Sequence, residues 1–341
     1  MSEHGETNTT KAVARRPRTW LLIPAIVLIL LGSIFVPWNT WGLNAHPEPA
    51  QTYADAIQRL EVMRADQEST LSATCVTKLM THGQSAERVI VLVHGYTSCP
   101  QQLDQLGRSF FDLGYNVLIA PLPHHGLPDR LNTEQSLLTA EELSTYADGV
   151  LDIADGLGEH VTIAGISGGG VVTAWAAQNR SDVDLAVVIS PAFGFKQIPT
   201  LATGPVMNLF QILPNSFTWW DPVQQDEGGI PYAYPRYASR ALTQFMRLGF
   251  SVREHAQQDP PGAKSIIVVT NGNEPSVNNE LTMQIVKIWR GHSTSISTYE
   301  FPADLGLPHD LIDPLQPDQQ TETVYPKLIE LITQPRSAAL P

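Results

Sequence analysis

Positive charge is in short supply. The chain carries 34 Asp and Glu against 21 Lys and Arg, a formal net charge of −13 over 341 residues. Phosphate backbones are held by clustered Lys and Arg, so this balance argues against nucleic acid as a partner. There is no long block of one charge and no internal repeat, which argues against a charged interaction tail and a solenoid. A glycine-rich phosphate-binding fingerprint with a downstream acidic ribose partner is also missing, which argues against a dinucleotide-dependent oxidoreductase. Cysteine is scarce, with only Cys75 and Cys99, so one bridge is the most the chain can form.

Apolar residues are plentiful, at 43%. That is enough to bury the core of one large domain, or of one domain with an insertion. The N-terminus differs from the rest. Residues 1–19 are polar and include Lys11, Arg15, Arg16 and Arg18; the run from Trp20 to Trp38 has no charge. As a helix it would span about 28 Å, close to a bilayer's hydrocarbon thickness. A Trp at each end suits the two interfaces, and the basic tail predicts a cytoplasmic N-terminus. The alternatives are a buried core helix and a cleaved signal peptide, which would leave a secreted protein. The stretch after the run offers no good A-x-A cleavage site, so we favour an uncleaved anchor. Residues 39–52 then form a Pro-containing juncture, and the body from 53 to 341 lies outside the cytoplasm. In that setting Cys75 and Cys99 are expected to form a disulfide, although two free buried thiols would also fit.

The body alternates strand-like and helix-like segments. Val/Ile-rich runs at 88–95, 115–123, 160–167, 184–192 and 264–272, with a further segment at 294–301, read as strands. Helical patterns lie between them at 99–114, 138–158, 168–180, 280–291 and 322–334, after an earlier one at 53–68. Thr139 followed by Glu142 predicts a capping box. Near-continuous apolar strands between helices predict an α/β fold, with a mostly parallel sheet covered on both faces. Residues 193–263 show no clean strand and many aromatics. This is too long for a plain crossover, so the stretch 194–262 reads as a cap over one end of the sheet.

The chemistry centres on Gly165-Ile166-Ser167-Gly168-Gly169, a G-x-S-x-G turn between a strand and a helix. Such a turn strains the serine backbone and lifts its hydroxyl above the sheet edge. The idle alternative is a glycine-rich corner that merely packs. A serine nucleophile needs a base, and His309, in a loop after the last strand, is the best placed histidine. The base needs a carboxylate to hold its tautomer. Glu274, after the penultimate strand, is favoured over Asp304, Asp310 and Asp313. Asp310 directly follows the histidine, so its side chain is expected to point elsewhere. Backbone N–H groups of Gly168 and Tyr96 are placed to hold an oxyanion. A metal site of His124, His125 and Asp129 has no further ligand in view, and no metal or organic cofactor is needed.

Five motifs in order, LVHGYTSCP, PLPHHG, GISGGG, NGNEPSVNN and LPHDLIDP, resemble an α/β-hydrolase of the serine-esterase and monoacylglycerol-lipase-like branch, over residues 88–335. The resemblance implies an eight-strand sheet, a cap after the fourth strand, and ester hydrolysis through an acyl-enzyme. It implies Ser167, Glu274 and His309 as the triad, with Tyr96 and Gly168 as oxyanion donors. Three features depart from the usual pattern: His124-His125-Gly126 replaces Gly-His-Gly, Gly168 replaces Met, and the acid is Glu rather than Asp. The expected activity is hydrolysis of small-molecule carboxylic esters with apolar acyl groups. The alternatives are a thioesterase, amidase or peptidase on the same residues, or a non-catalytic surface binding protein. Oligomeric state is not legible.

Overall fold

The computed structural model describes residues 32–334, apart from 66, 221–228 and 293–294. The body is built on a seven-stranded sheet in the order β1-β3-β2-β4-β5-β8-β9. Its strands are β1 (Lys78–Met80), β2 (Ala86–Val93), β3 (Asn116–Ile119), β4 (Gly158–Ile166), β5 (Leu185–Ile189), β8 (Ile266–Asn271) and β9 (Ile296–Phe301). All pairings are parallel except β1 with β3. The six strand segments expected from the sequence are all present. The eight strands implied by the resemblance are not, since seven are found among the described residues. The chain before β2 is committed instead to a helix, α1 (Tyr53–Arg64), and the three-residue antiparallel edge strand β1.

Both faces of the sheet are covered, which is why the central strands are apolar without alternation. Helices α3 (Ala140–Leu157), α4 (Gly168–Asn179), α6 (Ser239–Gln258) and α7 (Asn279–His292) bury one core, which holds Trp175 and Trp289. On the other face, α2 (Asp104–Asp112) and α8 (Thr321–Thr333) close a second core around Phe110 and Phe301. The capping box at the start of α3 forms in both directions: Thr139 accepts from the Glu142 N–H and Glu142 accepts from the Thr139 N–H.

The cap region holds α5 (Thr203–Ile212) and a hairpin of β6 (Phe217–Trp219) and β7 (Arg236–Ala238), and then leads into α6. The hairpin is a correction, because no strand was expected between residues 193 and 263. Each of its strands has three residues, most of them half-buried or exposed, too few to show a period of two.

Residues 20–31 of the apolar run lie outside the described residues. Among the described residues no helix is long and apolar enough to cross a membrane. Gly32 and Ser33 are helical, and the chain then leaves the helix through Phe35, Val36 and Pro37. Residues 38–50 are fastened to the body as a strap. Thr40 donates to Glu254 (2.7 Å), Trp175 Nε1 donates to the carbonyl of the fully buried Leu43 (2.7 Å), and the Ala50 N–H reaches the Asp152 carbonyl (2.8 Å).

Cys75 and Cys99 form a disulfide, packed with Ile230, Tyr232 and Ala233. It joins the segment before β1 to the loop after β2. In the chain-entropy account a loop of this size is worth about 3–4 kcal/mol.

Candidate active site

In an open parallel sheet, the carboxyl ends of the strands form the crevice where ligands bind. Here β2, β4 and β8 end within a few residues of Tyr96, Ser167 and Glu274 respectively, and the loop after β9 brings back His309. Ser167 has φ 56° and ψ −115°, in the strained region that β4 and α4 jointly impose. Its N–H donates to the Ile189 carbonyl (3.0 Å), while its own carbonyl accepts from Val171 (3.1 Å) and Ala192 (3.0 Å). These bonds fix the strained peptide. Gly169 is required by contact, since a Cβ there would drive into the Val93 and His94 carbonyls.

The structure brings Ser167, His309 and Glu274 into one line. Ser167 Oγ donates to His309 Nε2 at 2.9 Å, and His309 Nδ1–H donates to Glu274 Oε1 at 2.8 Å. Glu274 Oε1 also accepts from the N–H groups of Ser276 (2.8 Å) and Val277 (3.1 Å). Burial alone would push Glu274 up. The charge and hydrogen bond of His309, with these two N–H groups, outweigh it and hold the carboxyl below its ordinary range. Burial likewise opposes charge on His309, but the Glu274 carboxylate, aided by Asp310, lifts the imidazole above its ordinary value. The arrangement can therefore take a proton from the serine and stabilise the imidazolium that results.

This geometry has a pH signature. The base acts when neutral, and a raised pKa keeps it protonated to higher pH. Activity on the free enzyme is thus expected to fall, on acidification, through an apparent pKa above the ordinary 6.5 of histidine. In a Glu274→Gln variant this acid limb is expected to move to lower pH, and kcat to fall about 10⁴-fold. A pH–rate profile of both proteins checks it; an unmoved limb would remove Glu274 from the relay.

The rival acids are turned away. Asp310 accepts from Gln102 Nε2 (2.6 Å) and Gln316 Nε2 (3.1 Å), so its side chain points elsewhere, as its place next to His309 suggested. Asp313 accepts from the Tyr232 hydroxyl (2.5 Å), and Asp304 lies in a short 3-10 turn after β9. Gln102 also accepts from the Gly95 N–H (2.8 Å), tying Asp310 to the peptide beside Tyr96. Nothing in the sequence singled out Gln102, because its partners are distant in the chain.

Gly168 and Tyr96 stand side by side. A Cβ on residue 168 would meet the Tyr96 Cβ at 3.1 Å and the Phe245 ring at 2.9 Å. The absence of a larger residue after the serine thus has a cause, since Phe245 from α6 occupies that space. The first N–H groups of a helix have no partner within it, so the Gly168 N–H is available at the start of α4. The Tyr96 ring packs against Phe245 (5.3 Å), and its hydroxyl bonds Gln135 and accepts from the Ala238 N–H (2.8 Å). This ties the loop after β2 to the start of α6.

Two histidines given no catalytic role from the sequence support that loop. His94 donates from Nδ1 to the Gly95 carbonyl (2.8 Å) and accepts at Nε2 from the Leu122 N–H (2.9 Å). His125 donates to the Pro123 carbonyl (2.7 Å) and faces the Thr97 N–H. Burial pushes them down to about 3 and about 4, so both stay neutral acceptors. His124 instead bonds Glu142 (3.1 Å). Among the described residues, the carboxylates with metal-ligand spacing are Asp152, Asp155 and Asp182, far from these histidines in sequence and gathered around the Arg180 guanidinium.

Ser167 and His309 open into a cavity of about 980 Å³. Its larger wall is apolar, with Val206, Phe210, Trp219, Leu242, Phe245 and Met246. The lining also includes the polar side chains of Ser98, Asp310, Asp313 and Gln316.

Comparison with known proteins agrees with the fold. The family described as serine aminopeptidase, S33, matches residues 84–260. A thermostable monoacylglycerol lipase from Bacillus sp. (strain H-257) is 27% identical over 121 residues, 34% of this chain and 44% of the lipase. The matched region thus spans less than half of that relative. The monoacylglycerol lipase of Paleococcus ferrophilus superposes with a TM-score of 0.57 at 18% identity, over 75% of this chain and 97% of the other. A soluble variant of monoglyceride lipase from Saccharomyces cerevisiae gives 0.58 at 14% identity, over 75% and 90%. At those identities the two structures speak for the fold. With just over half its length matched, the chain belongs to the serine aminopeptidase S33 family, and it has the α/β-hydrolase fold.

Proposed function

We propose that this protein is a serine hydrolase that cleaves carboxylic esters with apolar acyl groups through an acyl-enzyme. The observation that carries the proposal is the continuous relay from Ser167 Oγ through His309 to Glu274, at 2.9 and 2.8 Å. Ser167 attacks the ester carbonyl while His309 Nε2 takes its proton. The Tyr96 and Gly168 N–H groups hold the tetrahedral oxyanion, each donor contributing about 3–4 kcal/mol. His309 returns the proton to the leaving alcohol. Water then attacks the acyl-enzyme by the same route and frees the acid.

The apolar wall supports an acyl preference. Each methylene buried is worth about 0.8 kcal/mol, so kcat/KM on p-nitrophenyl esters is expected to rise up to about four-fold per added carbon until the cavity fills. A profile indifferent to chain length would remove this preference. A second reading, cleavage of substrates bearing an amine or hydroxyl donor, is favoured by the buried, unpartnered Asp313 Oδ2 in the cavity lining. Amino-acid p-nitroanilides in the same panel separate the two.

The run Trp20–Trp38 is, in this proposal, an uncleaved anchor that leaves the hydrolase domain outside the cytoplasm. The basic residues before it and the disulfide in the body support that orientation.

A further inference from the structure

Helix α5 presents three rows of side chains. Gly204, Asn208 and Gln211, spaced one turn apart, meet the chain that follows the apolar run. Asn208 donates to the carbonyls of Ile34 (2.8 Å) and Val36 (2.7 Å) and accepts from the Trp38 N–H (2.9 Å). Asn39 donates to Gln211 (3.1 Å), and a Cβ on Gly204 would lie 3.5 Å from the Phe35 carbonyl. A second row, Val206 and Phe210, lines the cavity above Ser167. The third row, Leu209 and Ile212, is left to solvent, 40% and 67% exposed. Leu201 before the helix is 88% exposed, and Phe35, Val36 and Trp41 on the adjoining strap are 66%, 61% and 80% exposed.

The two segments that form this face carry no charge of their own. Residues 197–218 and residues 19–45 contain no Asp, Glu, Lys or Arg, in a chain where these make up 16%. Exposed Leu, Ile, Phe and Trp gathered on uncharged segments mark an interaction surface rather than an ordinary protein exterior.

We propose that Phe35, Val36 and Trp41, together with Leu201, Leu209 and Ile212, rest in the interfacial layer of a lipid bilayer, with α5 lying on the membrane. This rests on the anchor reading given above, and the length of the run supplies the reason. The chain is helical at Gly32 and Ser33 and leaves the helix after them, so as helix the fourteen residues Trp20–Ser33 would supply about 21 Å against about 30 Å of hydrocarbon. A short span draws its flanking residues into the interface. Those flanking residues, Ile34 to Trp38, are the ones bonded to Asn208. The membrane surface and α5 are therefore held at one depth, without a spacer. A second copy of the chain would satisfy the apolar face but not this tether. The row beside the buried face lines the cavity, so an amphiphilic ester can pass from the lipid into it without crossing water.

The test uses the full chain reconstituted in phosphatidylcholine vesicles, with and without lipids brominated near the headgroup. Trp41 emission, obtained by difference from a Trp41→Phe variant, is expected to be quenched by the brominated lipid. In a Leu209→Glu/Ile212→Glu variant, hydrolysis of a long-chain ester embedded in the bilayer is expected to fall about ten-fold or more. Hydrolysis of a water-soluble short ester is expected to be unchanged, which also reports that the variant is folded. If the chain stays with the vesicles while Trp41 is unquenched and the double variant acts normally on the embedded ester, the surface assignment is overturned and the anchor stands. If the full chain does not associate with vesicles, the anchor reading fails and the surface assignment falls with it. Conversion of a dimer to a monomer by the double variant, with Trp41 shielded from the lipid, would assign the face to a second copy and overturn the proposal.

Discussion

A Ser167→Ala variant is expected to lose about 10⁴-fold or more in kcat on any ester the parent hydrolyses, with its fold intact. Removing the nucleophile of such a relay costs as much as removing the whole relay, because base and acid have nothing left to activate. Stability should change little. Alanine can be held in the same backbone conformation by the same bonds, since Ile189, Val171 and Ala192 bind the main chain of residue 167, not its hydroxyl. Turnover, thermal denaturation and labelling by a fluorophosphonate should be read together. The parent is expected to be labelled at Ser167 and the variant not at all. A variant that kept its rate would refute the nucleophile assignment. A parent that is inert, unlabelled and folded would favour a hydrolase-like binding protein.

The largest effect on stability is expected at Arg180. Its side chain is fully buried, and it bonds Asp148 (2.8 Å), Asp152 (2.7 Å) and Asp182 (2.5 Å), with Asp155 at 3.8 Å. Asp148, Asp152 and Asp155 lie on successive turns of α3, and Arg180 follows α4. The hub also holds the strap, through the His46 N–H on Asp148 and the Ala50 N–H on the Asp152 carbonyl. In an Arg180→Ala variant four carboxylates would face one another without their cation, at a cost of about 3–5 kcal/mol. The strain is already visible in the parent, where burial and the neighbouring Asp182 push Asp155 up to about 7. Asp182 behaves oppositely: burial would raise it, but Arg180 holds it below its ordinary value. Without Arg180 the folded carboxyls titrate above their unfolded range. The destabilisation is then full at high pH and is relieved as acidification protonates them. The difference in melting temperature between parent and variant is expected to be larger at pH 8 than at pH 5. A pH-independent difference would show that the loss came from packing alone.

How much could be read in advance differs between the fold and the site. The six principal strands were legible because buried parallel strands are continuous runs of Val and Ile. Thr139 and Glu142 declared the start of α3 through a spacing of three residues. The β6–β7 hairpin and edge strand β1 were not legible, since three half-buried residues leave no periodic trace. At the site, Ser167 was marked by the glycines that its turn requires, and His309 by its place after the last strand. Gln102, His94 and Phe245 had no signature, and His125 stood out only as a metal-ligand candidate. Each acts by meeting a residue from another element, as Gln102 meets Asp310 at 2.6 Å across 208 positions.

By itself, the sequence determined the order of strands and helices and the strained corner at Ser167, because these follow from local periodicity and steric need. Only the tertiary structure decided that Glu274, and not Asp310 or Asp313, faces His309. It also decided that the neutral histidines brace the loop after β2, and that the stretch after the apolar run is bonded to α5. Those outcomes depend on which side chains the sheet and cap bring within 3 Å of each other. Such distances are set by packing between remote segments, which no local pattern encodes.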